Sequence, residues 1–288
     1  MYIDMFGKKR QKLCLHMHTT VSDGAVSPDE AAKIYKDAGY DAIAITDHWH
    51  RGEFGELEGI KIISGAEYNI GGNNTLDGVY HIVGIFTNQK PPIERGDGAQ
   101  EIIDKIHSVG GLAILAHPAW SLNTPEMILQ LRDIDATEIY NSVSNIGESF
   151  RADSSVIVDM LAVRGRVYPL LATDDTHAYN GADTCLSYIM VESDDCDYES
   201  LKSAIAEGRF YATQGPEIHL ERDGDILRVM CSPVEHIYFA SGTAWCHRSE
   251  HGEGLTYAEY TPNETDRFVR AFVVDADGRS AWSNIVLL

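Results

Sequence analysis

His16 and His18 begin a series of residues that can bind metal: Asp23, Asp47-His48, Glu67, His81, His117, and Asp174-Asp175 with His177. Imidazole nitrogens and carboxylate oxygens are the donors of hydrolytic metal sites, where an ion activates water and offsets charge on the reacting group. Nine potential donors, His16, His18, Asp23, His48, Glu67, His81, His117, Asp175 and His177, exceed what one four-coordinate ion can use. They point to two or three divalent ions sharing carboxylates. Two histidines at i and i+2 are, taken alone, ordinary polar neighbours on one strand face. Recurrence overrides that reading. Asp47-His48 follows Ala42-Ile43-Ala44-Ile45, Glu67 follows Ile62-Ile63, His117 follows Ala113–Ala116, and Asp175 and His177 follow Leu170-Leu171-Ala172. Donors placed after apolar runs stand at strand ends, where barrel enzymes build their sites.

The elements that must position them alternate along the chain. From Leu13 to about Val191, short runs rich in β-branched residues alternate with helical patterns, the rhythm of repeated βα units and a barrel-like sheet. Strands are expected at Leu13–His18, Ala42–Thr46, Lys61–Ala66, Leu112–Ala116, Ala136–Tyr140, Val167–Thr173 and Leu186–Glu192, with helices near 98–109, 124–132, 148–164 and 198–207. A further helix starts after Ser27 as N-cap, with Pro28 at its first position, and stops at Gly39. His81 breaks the pattern by standing near the start of its run, Val79–Phe86. Gly71, Gly72 and Gly78 bracket a turn-rich segment, so a hairpin over Glu67–Phe86 would fold His81 back toward Glu67. After Gly215-Pro216 the helical patterns stop. Alternating runs at Glu217–Leu220, Ile226–Cys231, His236–Ala240, Phe268–Val274 and Ile285–Leu288 predict a small β-sandwich-like domain. The chain thus divides into residues 1–213 and 214–288.

With 288 residues and a formal net charge of −21, the surface repels nucleic-acid backbones, so no long nucleic acid is expected as a partner. A small phosphorylated substrate remains compatible, because bound divalent ions offset the charge of their carboxylates. The cysteines, Cys14, Cys185, Cys196, Cys231 and Cys246, are odd in number and widely spaced, as expected of free thiols in a reducing cytoplasm. Cys14 reads as a buried inert thiol. The N-terminus lacks the apolar core of a signal peptide and no run reaches the roughly 20 apolar residues of a membrane span, so no membrane association is expected.

The pieces Leu15-His16-Met17-His18-Thr19, Ser22-Asp23-Gly24, Ile45-Thr46-Asp47-His48, Gly65-Ala66-Glu67, His81, Ala116-His117-Pro118 and Asp174-Asp175-Thr176-His177 together resemble the PHP (polymerase and histidinol phosphatase) superfamily of metal-dependent phosphoesterases. The resemblance spans roughly residues 13 to 213. It implies an α/β fold, a distorted (β/α)7 TIM-like barrel, with a trinuclear site of Zn, Mn or Fe ions. By that resemblance His16, His18, Glu67 and Asp175 hold one ion, Glu67, His81 and His117 a second, and Asp23, His48 and His177 the third. Asp174 competes with Asp175 for its place; sharing a strand face with His177 at i+2 favours Asp175.

The chemistry expected of such a cluster is hydrolysis of a small phosphorylated metabolite or nucleotide, with a metal-bridging hydroxide attacking phosphorus. Asp47 is expected to orient a ligand rather than bind metal. His50 is a candidate general acid, against the plainer reading of a surface histidine. Arg51, Asn141 and Tyr179 are candidate substrate contacts, with a solvated arginine an equal reading at position 51. The remaining histidines, His107, His219, His236, His247 and His251, read as structural or surface groups. Two alternatives stay open: hydrolysis of a carbon-centred ester, carbamate or amide by the same cluster, and a non-catalytic metal-stabilised binding protein.

Overall fold

The computed structural model describes residues 2–71, 79–244 and 248–288. Gly72, Gly78, Cys246 and His247, singled out above, lie outside the described residues. One sheet sets Gly65–Ile70, Tyr80–Ile85, Leu112–Leu115, Ala136–Asn141 and Leu170–Thr173 side by side. The other runs from Gly55–Leu57 through Ile60–Ile63, Ala42–Ala44, Lys9–Cys14, Tyr188–Glu192 and Phe210–Thr213 into the C-terminal strands. Parallel bridges join the two sheets: Met17 to Thr176, both just past strand ends, and His48, past the end of Ala42–Ala44, to Glu67 within Gly65–Ile70.

Strand direction explains the exception at His81. Leu112–Leu115, Ala136–Asn141 and Leu170–Thr173 are mutually parallel, whereas Tyr80–Ile85 runs antiparallel to both neighbours. The start of that reversed strand therefore lies on the same rim as the carboxyl ends of the parallel ones. Asn69 pairs with His81 and shares a face with Glu67, so the hairpin folds His81 toward Glu67 as its glycines predict.

Period-two alternation divides the packing. Leu112 and Ile114 enter the core below the rim with Leu13, Leu15, Ala42, Ala44, Leu170 and Ala172. Ala113 and Leu115 point the other way, toward Ile102, Ile103 and Ile106 of the helix Ala99–Ser108. A Cβ on Gly84 would meet the Ile106 side chain at 2.8 Å, so this glycine lets the helix approach the sheet. Burying each of those isoleucines contributes about 1.5–3 kcal/mol.

Several predicted elements end elsewhere. The helix near 148–164 reduces to Ser155–Val163, preceded by a wide turn at Asn145–Ser149, and that near 124–132 to Pro125–Ile128. Ile226–Cys231 and His236–Ala240 are one strand, Ile226–Ser241, whose pairing with Ser249–Tyr260 shifts register twice between Met230 and His236. Pro233 stands in that interval, where a bulge spares the ladder its missing N–H. Ser249–Tyr260 has no predicted counterpart: its buried residues are only Ala258 and Tyr260, too few to show alternation. These strands enclose a second core around Val229, Ile237, Phe239, Val269, Ala271 and Val273. The sheet stays continuous across residue 213, since Ala212 and Thr213 pair with Trp282 and Ala281. A bidentate pair, Arg270 to Asp159 at 2.7 and 2.9 Å, fastens the C-terminal strands to the helix Ser155–Val163.

Candidate metal centre

The donor residues converge where the chain leaves its strands. Lys9–Cys14 ends two residues before His16, and Ala42–Ala44 ends before Asp47-His48. His117 (φ 28°) and Asp175 (φ 53°) lie in left-handed backbone just after Leu112–Leu115 and Leu170–Thr173. Asp23 is brought in by a tight turn in which Gly24 donates to the Thr19 carbonyl. A Cβ at Gly24 would lie 2.3 Å from the His18 carbonyl oxygen, so the turn requires glycine.

The first donor set is the most compact. His16 Nε2 lies 3.3 Å from His18 Nε2, 3.2 Å from Asp175 Oδ1 and 3.3 Å from Glu67 Oε2. His18 Nε2 lies 3.1 Å from Glu67 Oε2 and 3.0 Å from Asp175 Oδ1. Donors on a tetrahedral ion with bonds of about 2.0–2.1 Å are about 3.3 Å apart, so this spacing fits an ion at the centre. In the second set Glu67 turns its other oxygen, Oε1, to His81 Nδ1 at 2.6 Å and His117 Nε2 at 3.3 Å. The third set is wider and nearer solvent: Asp23 lies 3.6 Å from His18 Nδ1 and 3.7 Å from both His48 Nε2 and His177 Nε2. Each set can place one donor atom per residue within 4.8 Å of the others. Two atoms also fit bound cations: among the described residues, Asp175 Oδ1 and His48 Nδ1 are buried close to His18 Nε2 and Glu67 Oε2 but without a well-aligned hydrogen bond. A buried carboxylate oxygen in that state is costly unless a cation accompanies it.

Electrostatics supports the same conclusion. Burial alone would lower the His16 and His18 imidazoles, yet Asp175 and Glu67 hold His16 well above its ordinary value and His18 at about 9. Burial would raise Glu67 and Asp175, but the surrounding imidazoles hold both well below the usual carboxylate range. Without metal, these carboxylates recruit protons onto the histidines; a divalent ion would replace those protons.

Supporting groups hold the donors in place. Glu138 is fully buried, with His16 Nδ1 2.7 Å away, and accepts from the His117 backbone N–H, Asn141 Nδ2 and Thr173 Oγ1, each at 2.8 Å. An imidazole donating from Nδ1 keeps Nε2 available to metal. Asp47 accepts from the backbone N–H and hydroxyl groups of both Thr19 and Ser22, which fixes the loop between His18 and Asp23. Asp175, not Asp174, faces the donors. The reason is the left-handed turn rather than a continued strand, which ends at Thr173. Asp174 is buried behind them, accepting from Tyr35 Oη, Ser142 Oγ and the N–H groups of Leu186 and Ser187, and burial pushes its carboxyl up to about 6.

The residues expected to contact substrate divide between two places. His50 and Arg51 line a neighbouring apolar cavity with Val21, Ile45 and Phe54. The Arg51 guanidinium is occupied by Thr87 and Glu53. Asn141 donates to Glu138 and Asp175, and Tyr179 Oη to the His18 carbonyl, so both brace the site. The cavity over the donors, about 210 Å3, is completed by Trp120, Val143, Ser144 and Glu148. None of these four was singled out in the sequence. Trp120 had a signal in its place three residues after His117, and Glu138 in being an acid within an apolar run; Glu148 had none. Burial pushes the Cys14 thiol well up, as expected of an inert cysteine, and the four described cysteines are unpaired. Among the described residues no helix is long and apolar enough to cross a membrane.

The mixed α/β scaffold carries clustered donors consistent with a polynuclear metal site. Residues 15–92 match the PHP domain. The chain is 32% identical over 155 residues to the uncharacterized protein MJ1587 of Methanocaldococcus jannaschii, a match covering 47% of this chain and 85% of that one. The chain belongs to the PHP domain family. Its fold is similar over its whole length to a two-domain protein containing a predicted PHP-like metal-dependent phosphoesterase from Bacteroides vulgatus, with TM-score 0.56, 16% identity and 97% of that chain covered. It is also similar to the lesion-specific endonuclease EndoQ of Pyrococcus furiosus, at 19% identity and TM-score 0.46, covering 69% of this chain and 56% of that one.

Proposed function

We propose that the protein hydrolyses a small phosphorylated metabolite or nucleotide, using two or three divalent ions, Zn, Mn or Fe, held by the nine donors. The observation that carries this reading is Glu67, whose two carboxylate oxygens face separate donor sets, Oε2 toward His16 and His18 and Oε1 toward His81 and His117. Divalent ions bound there supply a water-derived nucleophile at neutral pH and offset charge on the phosphate oxygens. The chain's own residues do the rest. Glu138 fixes His16 and the His117 backbone, Asp47 fixes the loop carrying Asp23, and Trp120 packs its ring across His81 and His117, centroids 5.3 and 4.9 Å away, shielding one side of the cavity.

In this reading residues 1–213 form the hydrolase domain, with the bridged sheets closing into the distorted (β/α)7 barrel expected from sequence, and 214–288 a small all-β domain. The small cavity and acidic surface favour a compact substrate over a long nucleic acid. The test is metal analysis of the purified protein together with a hydrolysis panel in Mn, Zn and Fe, covering phosphomonoesters, phosphodiesters, cyclic phosphates and aryl esters. Turnover of phosphate esters is expected; turnover of carbonyl substrates alone would overturn the reading.

A further inference from the structure

Beyond the metal donors, the cavity is lined by Trp120, Val143, Ser144 and Glu148. Among the described lining residues there is no lysine or arginine. Arg51, the arginine to which the sequence pointed, is held in the adjacent cavity by Thr87 and Glu53. The one charged lining group outside the donor sets is the Glu148 carboxylate, fixed by the Trp120 indole N–H. It stands on the exposed wide turn Asn145–Ser149, which ends at Phe150 in left-handed backbone (φ 59°). Trp120 in turn packs edge-on against His81 and His117, so the carboxylate is tied to the second donor set through a single ring.

We propose that Glu148, held by Trp120, determines specificity on the leaving-group side. It admits phosphate esters whose remaining portion is uncharged or cationic and rejects those carrying a second phosphate. This rests on the phosphoesterase reading above. A phosphate at the donors has its charge offset by the ions, whereas a second phosphate, beyond their reach, would meet a like charge with no lysine or arginine among the described lining residues to offset it. An ammonium or hydroxyl group would meet a carboxylate that accepts hydrogen bonds and an indole face that attracts cations.

The test compares propyl phosphate, 3-aminopropyl phosphate and propane-1,3-diyl bisphosphate as substrates of the metal-loaded full chain, wild type and Glu148→Gln. For the wild type, kcat/KM for the bisphosphate is expected at least tenfold below propyl phosphate, with the aminopropyl ester equal to or above it. In Glu148→Gln the bisphosphate penalty should shrink to under threefold, and in Glu148→Lys the order should invert. Equal handling of all three by the wild type, or a ratio unchanged in Glu148→Gln, overturns the proposal. So does a uniform fall in kcat for all three esters, which would assign Glu148 to proton transfer. Calorimetric binding of the corresponding phosphonates supplies a readout without turnover. If no phosphate ester is hydrolysed but the phosphonates show the same Glu148-dependent ranking, the reaction class fails while the charge selection stands. If hydrolysis proceeds without that ranking, only the charge selection fails.

Discussion

Two buried polar clusters in this molecule are built on opposite plans. In the C-terminal strands, Asp266 is surrounded by donors the chain supplies itself: Arg248 Nη1 at 3.1 Å, Ser241 Oγ at 2.8 Å, Thr243 Oγ1 at 3.0 Å, the Asn263 N–H at 2.8 Å, and Tyr260 Oη. Burial would raise that carboxyl, but these hydrogen bonds hold it at about 2. On the rim, Glu67 and Asp175 have no arginine or lysine among their ion-pair partners within the described residues; they face imidazoles, and Asp175 Oδ1 and His48 Nδ1 make close contacts there without a well-aligned hydrogen bond. The first cluster is electrostatically closed. The second balances its carboxylates with imidazoles alone, which can exchange their protons for a metal ion, and that exchangeability is what distinguishes it from a structural ion pair.

Metal removal probes that difference most strongly. Each ion bound by the folded state alone, at a free concentration a thousand times its Kd, adds about 4 kcal/mol of stability. Chelation is therefore expected to lower the unfolding midpoint sharply, and resupply of Zn, Mn or Fe to restore it, as read by thermal unfolding with metal analysis. An unchanged midpoint in protein shown to lose its metal would remove the contrast. Asp266→Ala is expected to cost about 3–5 kcal/mol, because it leaves Arg248 buried without its carboxylate. That loss should be the same with and without chelator. Lost metal content in Asp266→Ala would show that the two clusters are coupled.

The contrast also marks what the sequence can carry. Donors such as His16, His117 and Asp175 follow apolar runs, and strand ends are visible as the points where those runs stop. His81 was legible through its flanking glycines, although the reversal of its strand appears only in the pairing. The cavity walls were not legible. Glu148 lies in a turn that has no periodic signal, and Arg51, whose type suits phosphate, is captured by Thr87 and Glu53, partners remote or unremarkable in sequence. Asp175 was favoured for a strand geometry that the backbone does not have; the left-handed turn delivers it instead. In the C-terminal part, Ser249–Tyr260 exposes most of its side chains, so its role as an edge partner of Ile226–Ser241 left little hydrophobic pattern.

A smaller effect tests whether the open cluster is held from behind. Every polar group around Glu138 that can be assigned a direction donates to it: the His117 N–H, Asn141 Nδ2 and Thr173 Oγ1. In Glu138→Gln one acceptor oxygen becomes an amide donor facing those donors, and His16 loses its orienting carboxylate. Metal affinity is expected to fall about 10–100-fold, roughly 1.4–2.7 kcal/mol. Competition with a calibrated chelator measures it. An affinity unchanged from wild type would limit Glu138 to packing.

The smallest expected effect concerns pH and has opposite signs in the two kinds of histidine environment. His107 lies 2.7 Å from Asp135, and this hydrogen bond raises its imidazole above the ordinary value. A raised folded value means that its stabilisation is fully present below the unfolded value near 6.5 and is lost as pH rises through the folded one. With both partners partly exposed, the pair contributes a few tenths to about 1 kcal/mol. His107→Gln should therefore lower stability at pH 5.5 and leave it unchanged at pH 9, with or without metal, in paired denaturant titrations. The rim histidines should behave in reverse when metal is present, because protons compete with ions for the same nitrogens and metal-linked stability is lost as pH falls. A His107 contribution that grew with pH would contradict its proton-holding role, and metal-linked stability that survived acid would contradict coordination through the imidazoles.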